Sequence, residues 1–296
     1  MRARYTLAAA ACTAALCGPL LAQPVAHWRF DEAGGTTAED SAGSYDGTLV
    51  GPVVFVPGGV VGNAVEIPAD GYVTMGDVLR FTDQSFSLSC WIRVDPGYPV
   101  YSLVVGKHTS TIVAGYFLAL NSGAGYGTPN TAHLYTANRP GGEAIGTTTI
   151  NDGEWHHLVG VYKAGANTRI YVDGAPVEDT GSADNLSSTD APFAVAAIKL
   201  TNGSIINTFQ GLVDDLQAYD YVLCDSDVEF LFQNPGAEHT PQCLADFNQD
   251  GSVNTLDVLS FLNAWAAGEL RADVNCDLTV NTQDVLVFLN AWNAGC

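Results

Sequence analysis

From Val25 to about Phe232 the chain alternates apolar and polar residues in short runs separated by Gly, Asn, Asp and Ser. The runs Val53–Val56, Phe86–Ile92, Tyr116–Leu120, Trp155–Tyr162, Arg169–Val172 and Phe193–Leu200 have the two-residue period of half-buried strands. Asp173 and Gly174 follow one of them, and because both tolerate positive φ they mark a hairpin. Nothing long and helical interrupts the series, so it predicts an antiparallel two-sheet sandwich over residues 23–233. Residues 234–242 carry Pro and Gly without periodicity and predict an exposed, semi-extended linker. Beyond them the period changes. Asn254–Trp265 recurs almost residue for residue as Asn281–Trp292, and each copy places Val, Leu, Phe, Leu and Trp on one side of an amphipathic helix.

Each copy follows an acidic loop. The first offers oxygen at Asp246, Asn248, Asp250, Ser252, Asn254 and Asp257, the second at Asp273, Asn275, Asp277, Thr279, Asn281 and Asp284. Side-chain oxygens at alternate positions, a backbone carbonyl (Ser252, Thr279), a water-bridged position (Asn254, Asn281) and a closing carboxylate form the pattern of a loop that wraps Ca2+. The repetition of the whole spacing makes two chance acidic turns a poor explanation. In the second loop Leu278 stands where the first has Gly251. A side chain resists the sharp turn there, which predicts a weaker or distorted second site. Cys276 lies inside the same loop with no evident role.

Composition narrows the possibilities. The net charge is −21 with only 11 Lys and Arg, which excludes a phosphate-backbone partner such as nucleic acid. Arg2 and Arg4 precede an apolar, Ala-rich run that ends at Ala22, the pattern of a signal peptide over residues 1–22 and hence of export. No later run is long and apolar enough to span a membrane. Two of the 7 cysteines, Cys12 and Cys17, fall in the leader, leaving Cys90, Cys224, Cys243, Cys276 and Cys296. Cys243 and Cys296 bracket the repeat, and a bridge between them would tie its ends together. Five is odd, so one thiol stays free or pairs between chains.

The segments His27–Glu32, Asp46–Leu49, Gly62–Ala64, Phe86–Ile92, Asn151–Leu158, Ile170–Gly174 and Gly211–Tyr219, in this order and spacing, resemble the laminin-G-like, concanavalin A-like jelly-roll domains of secreted bacterial proteins. The resemblance implies a jelly-roll sandwich with one calcium held by Asp31 and Asp215, with Asp40 a weaker third. Asp214 and Asp215 are neighbours on a strand, so only one is expected to face such a site. Residues 243–296, ending in Gly295 and Cys296, resemble the tandem loop–helix repeats of type I dockerins. That implies a small α-helical module that needs calcium to fold and docks on a cohesin-like or cell-envelope protein.

No catalytic motif stands out. Paired carboxylates at alternate strand positions, a Gly-x-Ser-x-Gly elbow and a His-Glu-x-x-His helix are all missing. Zinc-type cysteine spacing is missing too. His156 and His157 diverge if they lie on a strand, so they read as structural. Tyr98, Tyr101, Tyr126 and Tyr135 fall in predicted loops, as half-buried anchors or as sugar-stacking faces. The expectation is a secreted, non-catalytic protein. Its sandwich binds a glycan or a protein, and its C-terminal module holds it to a partner or to the cell surface. The alternative is a subunit of a polysaccharide-degrading assembly whose sandwich is a glycoside hydrolase or lyase. A purely structural surface protein is a third reading.

Overall fold

The computed structural model describes residues 23–82, 84–96, 101–110, 114–121, 128–136, 142–174, 178–182, 186–187, 189–200, 202–207 and 209–295. The signal segment, Tyr98, Tyr126 and Cys296 lie outside the described residues.

Two sheets stack face to face. Among the described residues one has eight strands, crossing as Asp179–Ser182, Asn167–Val172, Trp155–Lys163, Phe86–Arg93, Gly211–Tyr219, Asn63–Ile67 and Val54–Pro57, with Ala26–Trp28 also paired to Gly211–Tyr219. The other has ten, on a path Glu143–Thr149, Thr131–Thr136, Ala114–Leu120, Ser102–Thr109, Phe193–Val195, Tyr72–Thr74, Gly47–Val50 and Thr37–Ala38. The hairpin Ala197–Lys199 and Ile205–Asn207 joins this second sheet beside Ser102–Thr109. Alternation selects the inner faces. Tyr116, Leu118 and Leu120 enter the core between the sheets, whereas Phe117 and Ala119 pack on the outer side with Leu103 and Tyr135. Trp28 is fully buried, stacks on Phe193 at 5.6 Å and donates its indole N–H to Tyr45 O at 2.9 Å.

Three expectations need correction. Phe193–Leu200 is not one strand, because Ala196 takes φ 65° and breaks it after Val195. Tyr135 lies in a strand, not a loop, and is buried against Phe117 with ring centroids 4.6 Å apart. A helix, α1 (Asp225–Gln233), packs on the outer face of the eight-stranded sheet where none was expected. Its cause is local: the Asp227 carboxylate accepts the Cys224 N–H at 2.8 Å to cap the first turn, and Val228 and Leu231 bury one face against Val159, Val161 and Tyr171.

The segment 234–242 also departs from the exposed linker that its composition predicts. Most of it is half-buried on the outer face of the eight-stranded sheet. The Gly236 N–H donates to Asp215 Oδ2 at 2.7 Å, Gln217 Nε2 to Ala237 O at 3.0 Å, and Arg29 Nη1 to Gly236 O at 2.8 Å. Glu238 lies 2.9 Å from His27 Nδ1. That sheet face carries buried polar side chains, and satisfying them requires a covering chain with backbone groups to offer.

The repeat forms α2 (Thr255–Ala267) and α3 (Thr282–Ala294). Phe261 and Phe288 are fully buried and stack at 4.2 Å, and Phe247 meets both rings edge-on at 5.3 and 5.9 Å. The halves also exchange one bond each: Trp265 Nε1 donates to Asn281 O at 2.7 Å, and Trp292 Nε1 to Asn254 O at 3.1 Å.

Candidate functional site

Both acidic loops are closed by the same network. In the first, Asp246 accepts from the Asp250 and Gly251 N–H groups at 3.1 and 2.9 Å, and Asp250 accepts from Ser252 N at 2.9 Å. Asp257, fully buried on the first turn of α2, accepts from Asn248 N at 3.1 Å and Asn254 N at 2.8 Å. Asn254 caps that helix by accepting from Leu256 N, and its own Nδ2 reaches Ser252 O at 2.8 Å. In the second loop Asp273 accepts from Asp277 and Leu278, Asp277 from Thr279, and Asp284 from Asn275 and Asn281. Asn281 caps α3 in the same way. The structure therefore gathers the predicted residues of each loop around one turn and one helix start.

The second loop is not distorted. Leu278 adopts φ 72°, close to the 81° of Gly251, and Cys276 at 54° copies Gln249 at 61°. The side chain costs about 1 kcal/mol of backbone strain, but the loop keeps its path because every carboxylate bond that defines it is retained. The residues fit a divalent cation. Asn275 Oδ1 is buried with no hydrogen-bond partner, an acceptor without a donor at a ligand position of the spacing. Burial, with the nearby charges of Asp284 and Asp277, raises the Asp273 carboxyl above its ordinary range. Among the described residues no three His, Cys, Asp or Glu are drawn to one point, and each loop depends equally on Asn, Ser or Thr oxygens.

Helix orientation differs from the expected amphipathic stripe. Val258, Phe261 and Trp265 turn inward with Val285, Phe288 and Trp292. The leucines turn outward: Leu256, Leu259 and Leu262 on α2 and Leu286 and Leu289 on α3 are 41–63% exposed. Each helix thus has a packed face and a second apolar face turned to solvent.

In the sandwich, Asp31 and Asp215 are not brought together. Asp31 is exposed and caps the turn before Asn63, accepting from its N–H at 2.8 Å. Asp215 lies 2.6 Å from His27 Nε2 and is enclosed by Gln217 and Gly236. Asp214 is the carboxylate that reaches the Asp31 turn, accepting from Val61 N at 3.1 Å, and burial pushes its pKa up to about 7. The two adjacent acids share a face because the strand bulges between Asp214 and Gln217, with Asp215 at φ 45°. The extra residue cancels the alternation that separates neighbours on a regular strand. Asp40 is spent on backbone, accepting from His27, Ala42, Gly43 and Tyr45.

The histidine pair diverges as a strand requires. His156 sits between Asp173 (2.8 Å) and Asp152 (3.2 Å), and the Asp173 bond raises its pKa. His157 bonds Ser89 Oγ through Nε2 at 2.8 Å beneath Trp91 and Phe232, and burial lowers its pKa to about 4. Its Nδ1 has no hydrogen-bond partner, and no carboxylate orients the ring as an activated Ser–His pair requires. The unfolded chain protonates this histidine near 6.5 and the folded chain only near 4. His157 therefore costs nothing at neutral pH and roughly 3 kcal/mol once the pH is below about 4. Tm should fall as the pH drops from 6.5 to 4, and His157→Gln should flatten that slope. His156, with its raised pKa, acts in the window above 6.5.

The sequence pattern offers no partner for Cys276. Cys276 is bridged to Cys224, the residue that starts α1, with Cα atoms 5.1 Å apart. Cys243 is also disulfide-bonded, while its expected partner Cys296 lies outside the described residues. Cys90 is a free, buried thiol. A cleft of about 490 Å³ lies between α1 and the repeat; in its wall His239 is engaged with Asp227 and Tyr221, and Arg271 with Glu269.

The chain belongs to the concanavalin A-like lectin/glucanase superfamily, whose laminin-G-type family model matches residues 68–229. A dockerin type I domain follows, matched over residues 244–293. Type I dockerins are calcium-binding modules, which agrees with the loops above. No curated protein matches the chain in sequence. Solved structures share the fold. Domain 4 of AbnA, an extracellular GH43 arabinanase from Geobacillus stearothermophilus, in complex with arabinotriose, is 20% identical over 72% of this chain and 100% of that one, with a TM-score of 0.55. The binding domain of Paraclostridial Mosquitocidal Protein 1 is 14% identical over 71% of this chain and 52% of that one, with a TM-score of 0.51. The ligand-binding domain of botulinum neurotoxin serotype D in complex with N-acetylneuraminic acid is 11% identical, covering 71% and 50%, with a TM-score of 0.50. This chain spans about half the length of those two toxin domains. Among the described residues no helix is long and apolar enough to cross a membrane.

Proposed function

We propose that this is a secreted, non-catalytic glycan-binding protein, held in an extracellular assembly by calcium-dependent docking of its C-terminal module on a cohesin-type partner. The observation that carries the reading is the pair of outward leucine faces on α2 and α3, beside a core already completed by Phe261 and Phe288. Leucines not needed for folding, on helices positioned by acidic loops, are surface available to a partner. Asp246, Asn248, Asp250, Ser252, Asn254 and Asp257 hold one calcium, and Asp273, Asn275, Asp277, Thr279, Asn281 and Asp284 a second. The ions neutralise clustered carboxylates and fix the helix starts. A Cys243–Cys296 bridge closes the module. In the sandwich, any calcium sits at the Asp31 turn with Asp214, not with Asp215. The sugar-bound states of the arabinanase domain and of the neurotoxin domain support a glycan as the ligand of this sandwich.

The full chain, loaded with calcium, should bind an immobilised panel of cohesin modules and release on addition of EDTA. Leu259→Asp with Leu286→Asp should weaken that binding at least about tenfold while leaving calcium uptake intact, since an exposed charge cannot enter an apolar contact. Unchanged binding in this variant sinks the docking face. Reducing ends released from a polysaccharide panel would instead favour the hydrolase reading, and unsaturated products the lyase.

A further inference from the structure

Cys276 is an extra residue in chemical terms: the calcium spacing does not use it, and the first repeat has Gln249 in its place. Its bridge to Cys224 joins the second calcium loop to the sandwich across 52 residues of chain. Two sandwich cations reach the same spot. Lys163 Nζ donates to Asn275 O and Cys276 O, both at 3.0 Å, and the fully buried Arg169 donates through Nη2 to Cys276 O. The calcium spacing uses neither of those carbonyls, since it takes the Asn275 side chain and the Thr279 carbonyl as its ligands. The cations therefore brace the loop without competing for its ligand oxygens. The other end of the connection is fastened too, through Gly236 and Glu238 on Asp215 and His27, and α1 packs on the turn Leu270–Ala272 between the two repeats.

We propose that the docking module is not a tethered bead but is fixed on the sandwich in one orientation, by a joint made of the Cys224–Cys276 bridge and the Lys163 and Arg169 contacts. The inference rests on the docking reading only for its purpose; the joint itself is independent of any partner. A body attached at one flexible point swivels freely, and a second attachment leaves one axis of rotation. The Lys163 and Arg169 hydrogen bonds remove that axis. The leucines of α3 stay exposed, so the joint fixes the module without covering its outer face. A docked chain would present its sandwich at a set angle to the partner, not over the wide volume that a flexible linker allows.

The test is 15N relaxation of the full, calcium-loaded chain, with backbone amides of α2 and α3 read against those of the sandwich strands. One shared correlation time is expected for the oxidised protein. Cys224→Ser with Cys276→Ser, combined with Lys163→Met and Arg169→Met, should split it into a slower sandwich and a faster module. Separate correlation times in the wild-type protein would overturn the joint outright. So would a shared time that persists in the fourfold variant. Should that variant not fold, the Lys163→Met, Arg169→Met pair with the bridge intact must raise hydrogen exchange at residues 273–281; no change there also overturns it. Partner binding enters none of these readouts, so a failed search for a cohesin leaves them untouched.

Discussion

Replacing Asp257 and Asp284 together with alanine should abolish calcium uptake by the C-terminal module and, with it, the helical signal of α2 and α3. Each carboxylate is fully buried. It accepts two backbone N–H groups, one of the loop and one that completes the capping box of its helix, and it closes the calcium spacing. Loss of the cap alone costs about 1 kcal/mol per helix. Loss of a direct ligand should exceed the tenfold to roughly hundredfold penalty that outer-shell partners of a metal show. Equilibrium dialysis of the full chain should therefore give two ions bound beyond the sandwich in the wild type and none in the double variant. Circular dichroism should show the variant unresponsive to calcium. Retained uptake would mean that the loops are acidic turns held by their own hydrogen bonds, and the calcium reading would fall.

That experiment probes the part of the molecule that was most readable from sequence. The calcium loops depend on residues spaced along one short segment, so type and order carry nearly all the information, including Leu278 at the glycine position. Leu278 does not distort the loop, because the carboxylate bonds that shape it outweigh about 1 kcal/mol of backbone strain. The strands were readable for the same local reason. What stayed hidden depends on contacts far apart in the chain. The bulge at Asp215 puts two adjacent acids on one face, which no alternation rule anticipates. The Cys224–Cys276 bridge arises because α1, a helix too short to announce itself, carries Cys224 to the second loop. Residues 234–242 look like a linker by composition, yet they cover buried His27, Asp215 and Gln217, whose polarity on an outer sheet face signals in hindsight that something must pack there.

Phe261→Ala should have the other large effect, unfolding the module even when calcium is saturating. Phe261 and Phe288 are the centre of a core whose other fully buried members, among the described residues, are Ala264 and Ala272. Truncating a buried aromatic costs about 3–5 kcal/mol, as much as a core of this size supplies in total. Calcium contributes through the loops, but its binding energy is realised only if the two helices can meet, so loss of the central stack removes the state to which the ions bind. Leu259→Ala, on the outer face of the same helix, should shift stability by no more than about 0.5 kcal/mol. The contrast between neighbours two residues apart separates the side of α2 that folds the module from the side left for a partner. Calcium-dependent helicity measured on both variants reads it directly. If Phe261→Ala kept its helical signal and Leu259→Ala lost it, the inward and outward faces of the helix would be reversed, and the docking surface would have to be moved to the aromatic side.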